Sequence, residues 1–267
     1  MTRWLARFSA LYLILLAIFA VVVPMMRPFD RQAGGVNLPP GGAFPLGTDQ
    51  AGYDILARLA YGARISLGVG LTVQAIALLL GVTLGILAVF GPKWVQIVIL
   101  RITDTMFAFP DILLAILIIG IWGDTSIRPV IIALSITAWP SIVRLVKTQA
   151  ATLKDREFVL ASDALGAKKF YTVTRHIIPH LWGSLLAVLM VEIAGTILAE
   201  SALSFLGIGV QPPTPSWGSM ISDANQQKAS NPVMLIWPCL ILSLTIFALN
   251  FLGDGLQAKF DPQRKEN

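Results

Sequence analysis

The chain has 267 residues, of which 55% are hydrophobic and only 13% are charged, and its formal net charge is +5. Because soluble domains carry about 25% charged residues, this composition excludes a water-soluble globular protein and predicts an all-α integral membrane protein. The single cysteine, Cys239, rules out a disulfide framework, and the basic residues flank apolar runs, so we predict no nucleic-acid partner.

The first two of six apolar runs contain no charged residue and are long enough to cross a bilayer, which takes about 20 helical residues. The first run covers residues 8–26 and follows Arg3 and Arg7. Because no small-x-small cleavage site follows it, we predict an uncleaved span and not a signal peptide. The second run covers residues 65–90.

The third apolar run, residues 95–122, differs from the others because Arg101, Asp104 and Asp111 lie in its first half. We expect that half either to project from the membrane or to face other helices. Arg101 and Asp104 are three residues apart, so they are expected to pair with each other or with a neighbouring helix. The remaining predicted spans are residues 128–146, 181–206 and 233–253.

The orientation of the chain follows from the Lys and Arg residues between the spans. Six spans place both termini on one side, and 14 basic residues share that side against 6 on the other. Since basic segments remain in the cytoplasm, we predict that both termini are cytoplasmic. The terminal side holds Arg3, Arg7, Lys93, Arg101, Arg144, Lys147, Lys154, Arg156, Lys168, Lys169, Arg175, Lys259, Arg264 and Lys265; the other side holds Arg27, Arg31, Arg58, Arg64, Arg128 and Lys228.

These spans divide the chain into three predicted regions. Residues 1–63 comprise the first helix and an external segment rich in Pro and Gly. Residues 64–254 form a five-helix unit that contains a polar cytoplasmic segment at residues 147–180. Residues 255–267 form a cytoplasmic tail.

The polar segment 147–180 has the sequence pattern of an ordered structure, not of a plain tether. A short helix is predicted after Glu157, with Ala161, Ala164 and Leu165 on the same face as Phe158, and with Ser162 and Asp163 pointing elsewhere. Gly166 is expected to end or bend that helix, a second helix to follow over residues 167–176, and Pro179 to begin the next span. Small residues at such a bend suit insertion into a groove on a partner.

This segment resembles the EAA loop of ABC-importer permeases. The matching residues are Ala161, Ser162, Gly166 and Pro179, which have the spacing of that motif. The chain departs from the motif at Leu160, where the motif has Glu, at His176, where it often has Ile, and at Ile178, where it has Leu.

Further blocks resemble the C-type permeases of dipeptide, oligopeptide and nickel importers, and they occur in the family's order from about residue 46 to residue 262. Tyr53 departs from the pattern, because the family usually has Arg there. The matching blocks are Leu46-Gly-Thr-Asp49, Gly52, Asp54, Arg58, Tyr61-Gly-Ala-Arg64, Ser66-Leu67, Ala202-Leu-Ser-Phe-Leu-Gly207, Gln211-Pro-Pro-Thr-Pro-Ser-Trp-Gly218, Asn250-Phe-Leu-Gly-Asp-Gly255 and Asp261-Pro262.

The resemblance implies a type I ABC-importer permease fold, with residues 64–254 as the permease domain and residues 147–180 as the part that couples to ATP hydrolysis. It implies a homologous second permease subunit, two ABC ATPase subunits and a periplasmic or lipid-anchored substrate-binding protein, in contact with membrane lipid. The predicted ATPase-coupling residues are Ala161, Ser162, Asp163, Ala164, Leu165, Gly166 and Ala167.

The chain has no G-x-x-x-x-G-K-[ST] phosphate-binding loop, and Gly166-Ala-Lys-Lys169 lacks its Gly-Lys-Ser/Thr ending. We therefore predict that this chain is no enzyme and binds no cofactor, and that partner subunits use ATP and Mg. Peptides are the expected cargo, with nickel as the alternative. A stand-alone secondary transporter would need paired interrupted helices, and an intramembrane enzyme would need a nucleophile with a base.

Four ionisable residues remain as candidates for other roles. Glu192 and Glu200 lie eight residues apart and hence near one helical face. Both are predicted either to line the translocation path or to clamp helices together, with an outer interfacial position as the alternative for Glu200. His176 and His180 have the spacing of a metal pair, but no third ligand is nearby, so packing near the lipid headgroups is favoured.

Overall fold

The computed structural model describes residues 2–32, 35–123, 126–227 and 233–260, and it is helical throughout its membrane part. Lys228, Asp261-Pro262, Arg264 and Lys265, used in the sequence argument, fall outside these ranges. The helices are α1 (Thr2–Met26), α2 (Ile55–Phe90), α3 (Lys93–Phe107), α4 (Asp111–Trp122), α5 (Ile127–Lys154), α6 (Glu157–Ala164), α7 (Lys169–Thr172), α8 (Ile178–Phe205), α9 (Trp217–Gln226) and α10 (Val233–Phe260), with a π-helical turn at Val173–Ile177.

Five of the described helices are long and apolar enough to cross a membrane, and a bent helix pair supplies a sixth candidate. The all-α membrane fold predicted from the composition is therefore confirmed. Several helices extend beyond the apolar runs from which the spans were predicted. For example, α2 begins at Ile55, where the Asp54 side chain accepts a hydrogen bond from the Leu56 amide at 2.9 Å and caps the helix.

The predicted third span, residues 95–122, is not one straight helix. Helices α3 and α4 are bent by 92° at the break between them. The reason is Pro110, which has no amide hydrogen and disfavours a helical conformation at Phe109. The charged first half does face a neighbour, because Asp104 forms an exposed ion pair at 3.4 Å with Arg144 of α5.

The sequence also predicted that Pro179 separates a cytoplasmic helix from the next span, and the structure corrects this. Helix α7, the π-helical turn and α8 form one continuous helical segment, Lys169–Phe205. Proline clashes with the carbonyl four residues earlier in a regular α-helix. The wider π turn directly before Pro179 provides the local adjustment that lets the helix continue.

Among the described helices, α2 and α5 make the most extensive helix–helix contact. A Cβ atom placed on Gly81 would lie 2.5 Å from Cβ of Ile142, and one placed on Gly85 would lie 2.6 Å from Cβ of Val146. The two pairs advance together along the chain, so the helices run parallel. Glycines at such positions allow helix backbones to approach closely within a membrane, and we infer that α2 and α5 move as one unit.

The other long helices complete the bundle around α2. Helix α8 packs on α2 and α10, and α1 packs on α10 and α2. Tyr12 joins α1 to α10, because its hydroxyl donates to the Ile241 carbonyl at 3.3 Å and lies 3.2 Å from the Thr245 hydroxyl. On the predicted external side, Trp217 of α9 is fully buried and donates to the Leu59 carbonyl of α2. Helix α9 is thereby fixed to the outer end of α2.

Candidate functional site

The short cytoplasmic helix α6 ends in a turn in which Gly166 has a left-handed backbone conformation. Gly166 has φ of +77°, a left-handed conformation that favours glycine. Its amide donates to the Asp163 carbonyl at 3.0 Å, and the Ala167 amide donates to the Ser162 carbonyl at 3.1 Å. These two bonds form a Schellman motif, so the prediction that Gly166 ends the helix is confirmed.

Most of the predicted coupling residues lie on the surface. Leu165 is 89% exposed. Ala161, Asp163, Ala164 and Gly166 are also exposed, and Ala167 is half-buried. A Cβ atom placed on Gly166 would meet nothing within 4 Å in the described part of the chain beyond its two neighbours. The turn therefore forms a small protruding knob with an apolar tip and open space around it.

Ser162 differs from its neighbours because it points into the protein. It is 8% exposed, and its hydroxyl lies 3.2 Å from the Thr172 hydroxyl of α7. Val159, one turn earlier, is 1% exposed. The prediction that Ser162 points away from the face of Ala161, Ala164 and Leu165 is therefore confirmed. Asp163, which was predicted to point away as well, is exposed like those three residues. Ser162 thus anchors the knob, and its exposed neighbours are available to a partner.

Aromatic and histidine rings hold α6 against the inner end of α8. The Phe158 and His180 rings stack with centroids 4.8 Å apart and planes 13° apart, and the His176 ring lies 6.3 Å from Phe158. The ring nitrogen Nδ1 of His180 also lies 2.6 Å from the His176 carbonyl. This arrangement is the packing role predicted for the two histidines. No group of three or more metal-ligating side chains occurs among the residues that the structure describes.

A cavity of about 150 Å³ separates the coupling knob from the inner end of α2. Asp163, Lys169 and Thr172 line one side of it, and the end of α2 and Gln96 of α3 line the other. The Gln96 side chain donates to the Gly91 carbonyl at 2.9 Å and fixes the turn between α2 and α3.

Glu200 lies near the outer end of α8 and is fully buried. The Ser66 hydroxyl of α2 donates to Oε2 at 2.9 Å, and the Ser204 hydroxyl of α8 donates to Oε1 at 2.8 Å. Ser204 also accepts a hydrogen bond from the Val210 amide at 3.1 Å. These contacts match the predicted helix-clamping role and join α2, α8 and the outer loop.

Glu192 is placed differently, since its side chain is only half-buried. It interacts with Ser141 of α5 and, electrostatically, with Asp111 at the beginning of α4. Its carbonyl accepts a hydrogen bond from Gln74 of α2 at 3.3 Å. The carboxyl groups of Asp111 and Glu192 therefore lie near one another, beside the break between α3 and α4.

Sequence reasoning missed the partners of these carboxyl groups. Ser204 follows Glu200 by four residues, so the sequence could have predicted that the two side chains are neighbours on one helix face. Ser66 is separated from Glu200 by 134 residues, so no local pattern predicts that contact. The Arg58–Asp49 ion pair at 2.6 Å was likewise not predicted, although both residues belong to a matched family block.

Comparison with known proteins agrees with this architecture. Residues 77–266 match the family described as binding-protein-dependent transport system inner membrane component. The glutathione transport system permease protein GsiD of Pectobacterium atrosepticum is 35% identical over 261 residues, which cover 96% of this chain and 86% of the relative. The dipeptide transport system permease protein DppC of Alkalihalophilus pseudofirmus is 37% identical over 252 residues, covering 94% and 83%.

A solved structure has the same fold. An inward-facing structure of the MetNI methionine ABC transporter aligns with a TM-score of 0.64 and 17% identity, covering 76% of this chain and 96% of that chain. The family match and the sequence identity to the two relatives together establish that this chain belongs to the binding-protein-dependent transport system inner membrane components, as the permease subunit of an importer.

Proposed function

We propose that this permease subunit forms half of a translocation path for di- and oligopeptides and that separate subunits hydrolyse the ATP that drives transport. The cargo assignment rests on the relatives, one a glutathione permease and the other a dipeptide permease. Both cargoes contain peptide bonds. This common chemistry favours peptides over nickel, the alternative left open by the sequence.

The observation that carries the coupling mechanism is the exposed knob at residues 161–167. In the proposed complex, each of two homologous permease subunits presents such a knob to one of two ATPase subunits, which bind the ATP and Mg. Closure of the ATPase pair displaces the knob, and the Ser162–Thr172 and Phe158–His180 contacts transmit the displacement to α8. The close glycine contacts between α2 and α5 carry it across the bundle.

The proposed external partner is a periplasmic or lipid-anchored binding protein that docks on residues 27–64 and 207–232. Docking delivers the peptide when the path opens outward. Glu192 is the proposed path-lining carboxyl group, because it is half-buried and lies near Asp111 at the broken span. Glu200 was an equal candidate from the sequence, but its burial and hydrogen bonds favour a clamping role.

Reconstitution of the complex in proteoliposomes tests this function. We expect the tagged chain to co-purify with a second permease subunit and nucleotide-binding subunits. We also expect ATP-dependent uptake of a radiolabelled dipeptide when the binding protein is present, with unlabelled oligopeptide competing and a nickel salt not competing. Uptake by this chain alone, driven by an ion gradient without ATP, would support a secondary transporter and contradict the proposal.

A further inference from the structure

A buried glutamine, Gln74, joins α2 to α8 in the interior of the bundle. Only 1% of this residue is exposed. Its side-chain Nε2 donates to the Thr196 hydroxyl at 2.7 Å and to the Glu192 carbonyl at 3.3 Å. Gln74 therefore holds the part of α8 that carries Glu192, the proposed path-lining carboxyl group.

The other half of this amide group makes no hydrogen bond. Oε1 of Gln74 is buried and has no donor among the described residues. On α5, Oγ of Ser135 is likewise buried without a partner in that part of the chain, and Ser135 is 5% exposed. Buried polar groups are almost always paired, so two unpaired ones need an explanation. A serine hydroxyl can donate and an amide oxygen accepts, so the two groups are chemically complementary.

The register of α2 against α5 places these two residues at the same level of the bundle. The close contact between Gly81 and Ile142 shows which faces of the two parallel helices meet. Gln74 precedes Gly81 by seven residues, and Ser135 precedes Ile142 by seven. Seven residues make nearly two helical turns, so Gln74 and Ser135 lie on the faces that α2 and α5 turn towards each other.

The surroundings of the two unpaired atoms are apolar. Val73 and Leu134, the residues directly before Gln74 and Ser135, belong to one buried hydrophobic cluster. Since both unpaired atoms are buried, a partner for either must come from inside the bundle. Ser135 can supply the donor that Oε1 of Gln74 lacks, once a small shift of the helices and a side-chain rotation bring the two groups together.

Gln74 also lies where two parts of the bundle meet. Helices α2 and α5 contact each other closely and move as one unit. Helix α8 continues from the segment that contacts the coupling knob. A displacement of α8 relative to α2 lengthens the bond between Gln74 and Thr196 and frees the amide group. Because a bond to Ser135 can replace the lost bond, the bundle can populate both arrangements.

We propose that Gln74 exchanges hydrogen-bond partners during the transport cycle. In the conformation of this structure it bonds to α8 through Thr196, and in a second conformation, favoured by closure of the ATPase pair, it bonds to Ser135 on α5. This inference rests on the proposed function, because closure of the ATPase pair drives the exchange. Gln74 is thus a positioning residue that sets the balance between two positions of α8.

ATPase activity of the full complex in nanodiscs, with and without the binding protein, tests the exchange. Loss of a bond made in only one conformation shifts the balance towards the other. We expect Thr196→Val to raise the basal rate about threefold and Ser135→Ala to lower the stimulated rate about fivefold, effects of the size of one hydrogen bond. Without nucleotide, Ser135→Ala should melt at the wild-type temperature, because its hydroxyl is unpaired in this conformation.

Two more variants show whether Ser135 acts through Gln74. Thr137→Val is the matched control, because the Thr137 hydroxyl donates to the Leu134 carbonyl of its own helix at 3.1 Å, and it should behave as the wild type. Gln74→Leu lacks both bonds, so the addition of Ser135→Ala to it should change neither rate. An equal effect of Ser135→Ala in both backgrounds, or no effect on the stimulated rate, would overturn the inference.

Cryo-electron microscopy observes the exchange directly. Gln74 should lie within hydrogen-bond distance of Thr196 in the nucleotide-free complex and of Ser135 in the complex held by a non-hydrolysable ATP analogue. An ordered water that bridges Gln74 and Ser135 in both states, or an unchanged bond to Thr196, would show that no exchange occurs. Failure of the proposed function would appear separately, as a wild-type complex whose ATPase activity the binding protein does not stimulate.

Discussion

Substitution of Gly166 by valine is expected to lower ATP-driven uptake at least tenfold while the protein still inserts into the membrane and assembles. Gly166 has φ of +77°, and an L-residue in that conformation costs about 1–2 kcal/mol. Among the described residues other than its two chain neighbours, no atom lies within 4 Å of the added Cβ. If the knob docks on an ATPase subunit as proposed, the new side chain contacts that partner. Parallel measurements of uptake and ATPase activity in proteoliposomes should show hydrolysis uncoupled from transport.

Gly123 provides a matched control for this substitution. It has φ of +66° at the end of α4, and a Cβ placed there also meets nothing within 4 Å among the described residues other than its chain neighbours. Gly123→Val therefore imposes a similar backbone cost on the predicted external side of the membrane. We expect it to retain most of the uptake. Equal uptake by the two variants, with the same stimulated ATPase activity as the wild type, would show that the Gly166 turn has no docking role.

The second large effect is expected for Glu200→Ala. This change removes the acceptor of the Ser66 and Ser204 hydroxyls and leaves a cavity between α2 and α8, where Glu200 is fully buried. Loss of a buried hydrogen-bonded side chain costs about 2–4 kcal/mol. We expect a melting temperature lower by roughly 5 °C or more in detergent, together with a reduced yield of folded protein.

Two other variants distinguish a clamp from a general effect of removing a carboxyl group. Glu200→Gln keeps the volume and can bond with both serines, because hydroxyls donate or accept, so it should recover much of the lost stability. Glu192→Ala removes a half-buried carboxyl group from the same helix and should shift the melting temperature far less. If Glu200→Ala were as stable as the wild type, the clamp would not contribute to the fold.

The features that sequence predicted well are those encoded locally. Apolar run length and the low fraction of charged residues predicted the helical membrane fold. Gly166 was predicted to end a helix because glycine tolerates the left-handed conformation, and the structure has that conformation. The break between α3 and α4 also had a local signal in Pro110. The apolar residues that surround the charged positions Arg101, Asp104 and Asp111 nevertheless joined the two helices into one predicted span.

Contacts between distant segments could not be predicted from one sequence. The bond between Ser66 and Glu200 joins residues 134 apart, and Arg58 lies close to Asp223 only because Trp217 fixes α9 to α2. Pro179 is a different case, since its local signal was misleading. Proline usually marks a helix start, but the π turn before it lets the helix continue.

Site-specific cross-linking is the sharpest test of whether the knob at residues 161–167 docks on an ATPase subunit. In a Cys239→Ala background, Leu165→Cys would carry a short thiol-reactive photo-cross-linker on a side chain that is 89% exposed. Val36→Cys, at a 62% exposed position on the predicted external side, is the control. We predict a covalent product with the nucleotide-binding subunit from position 165 and none from position 36. Absence of that product from position 165 in an assembled, ATP-hydrolysing complex would show that the knob does not dock on the ATPase subunit.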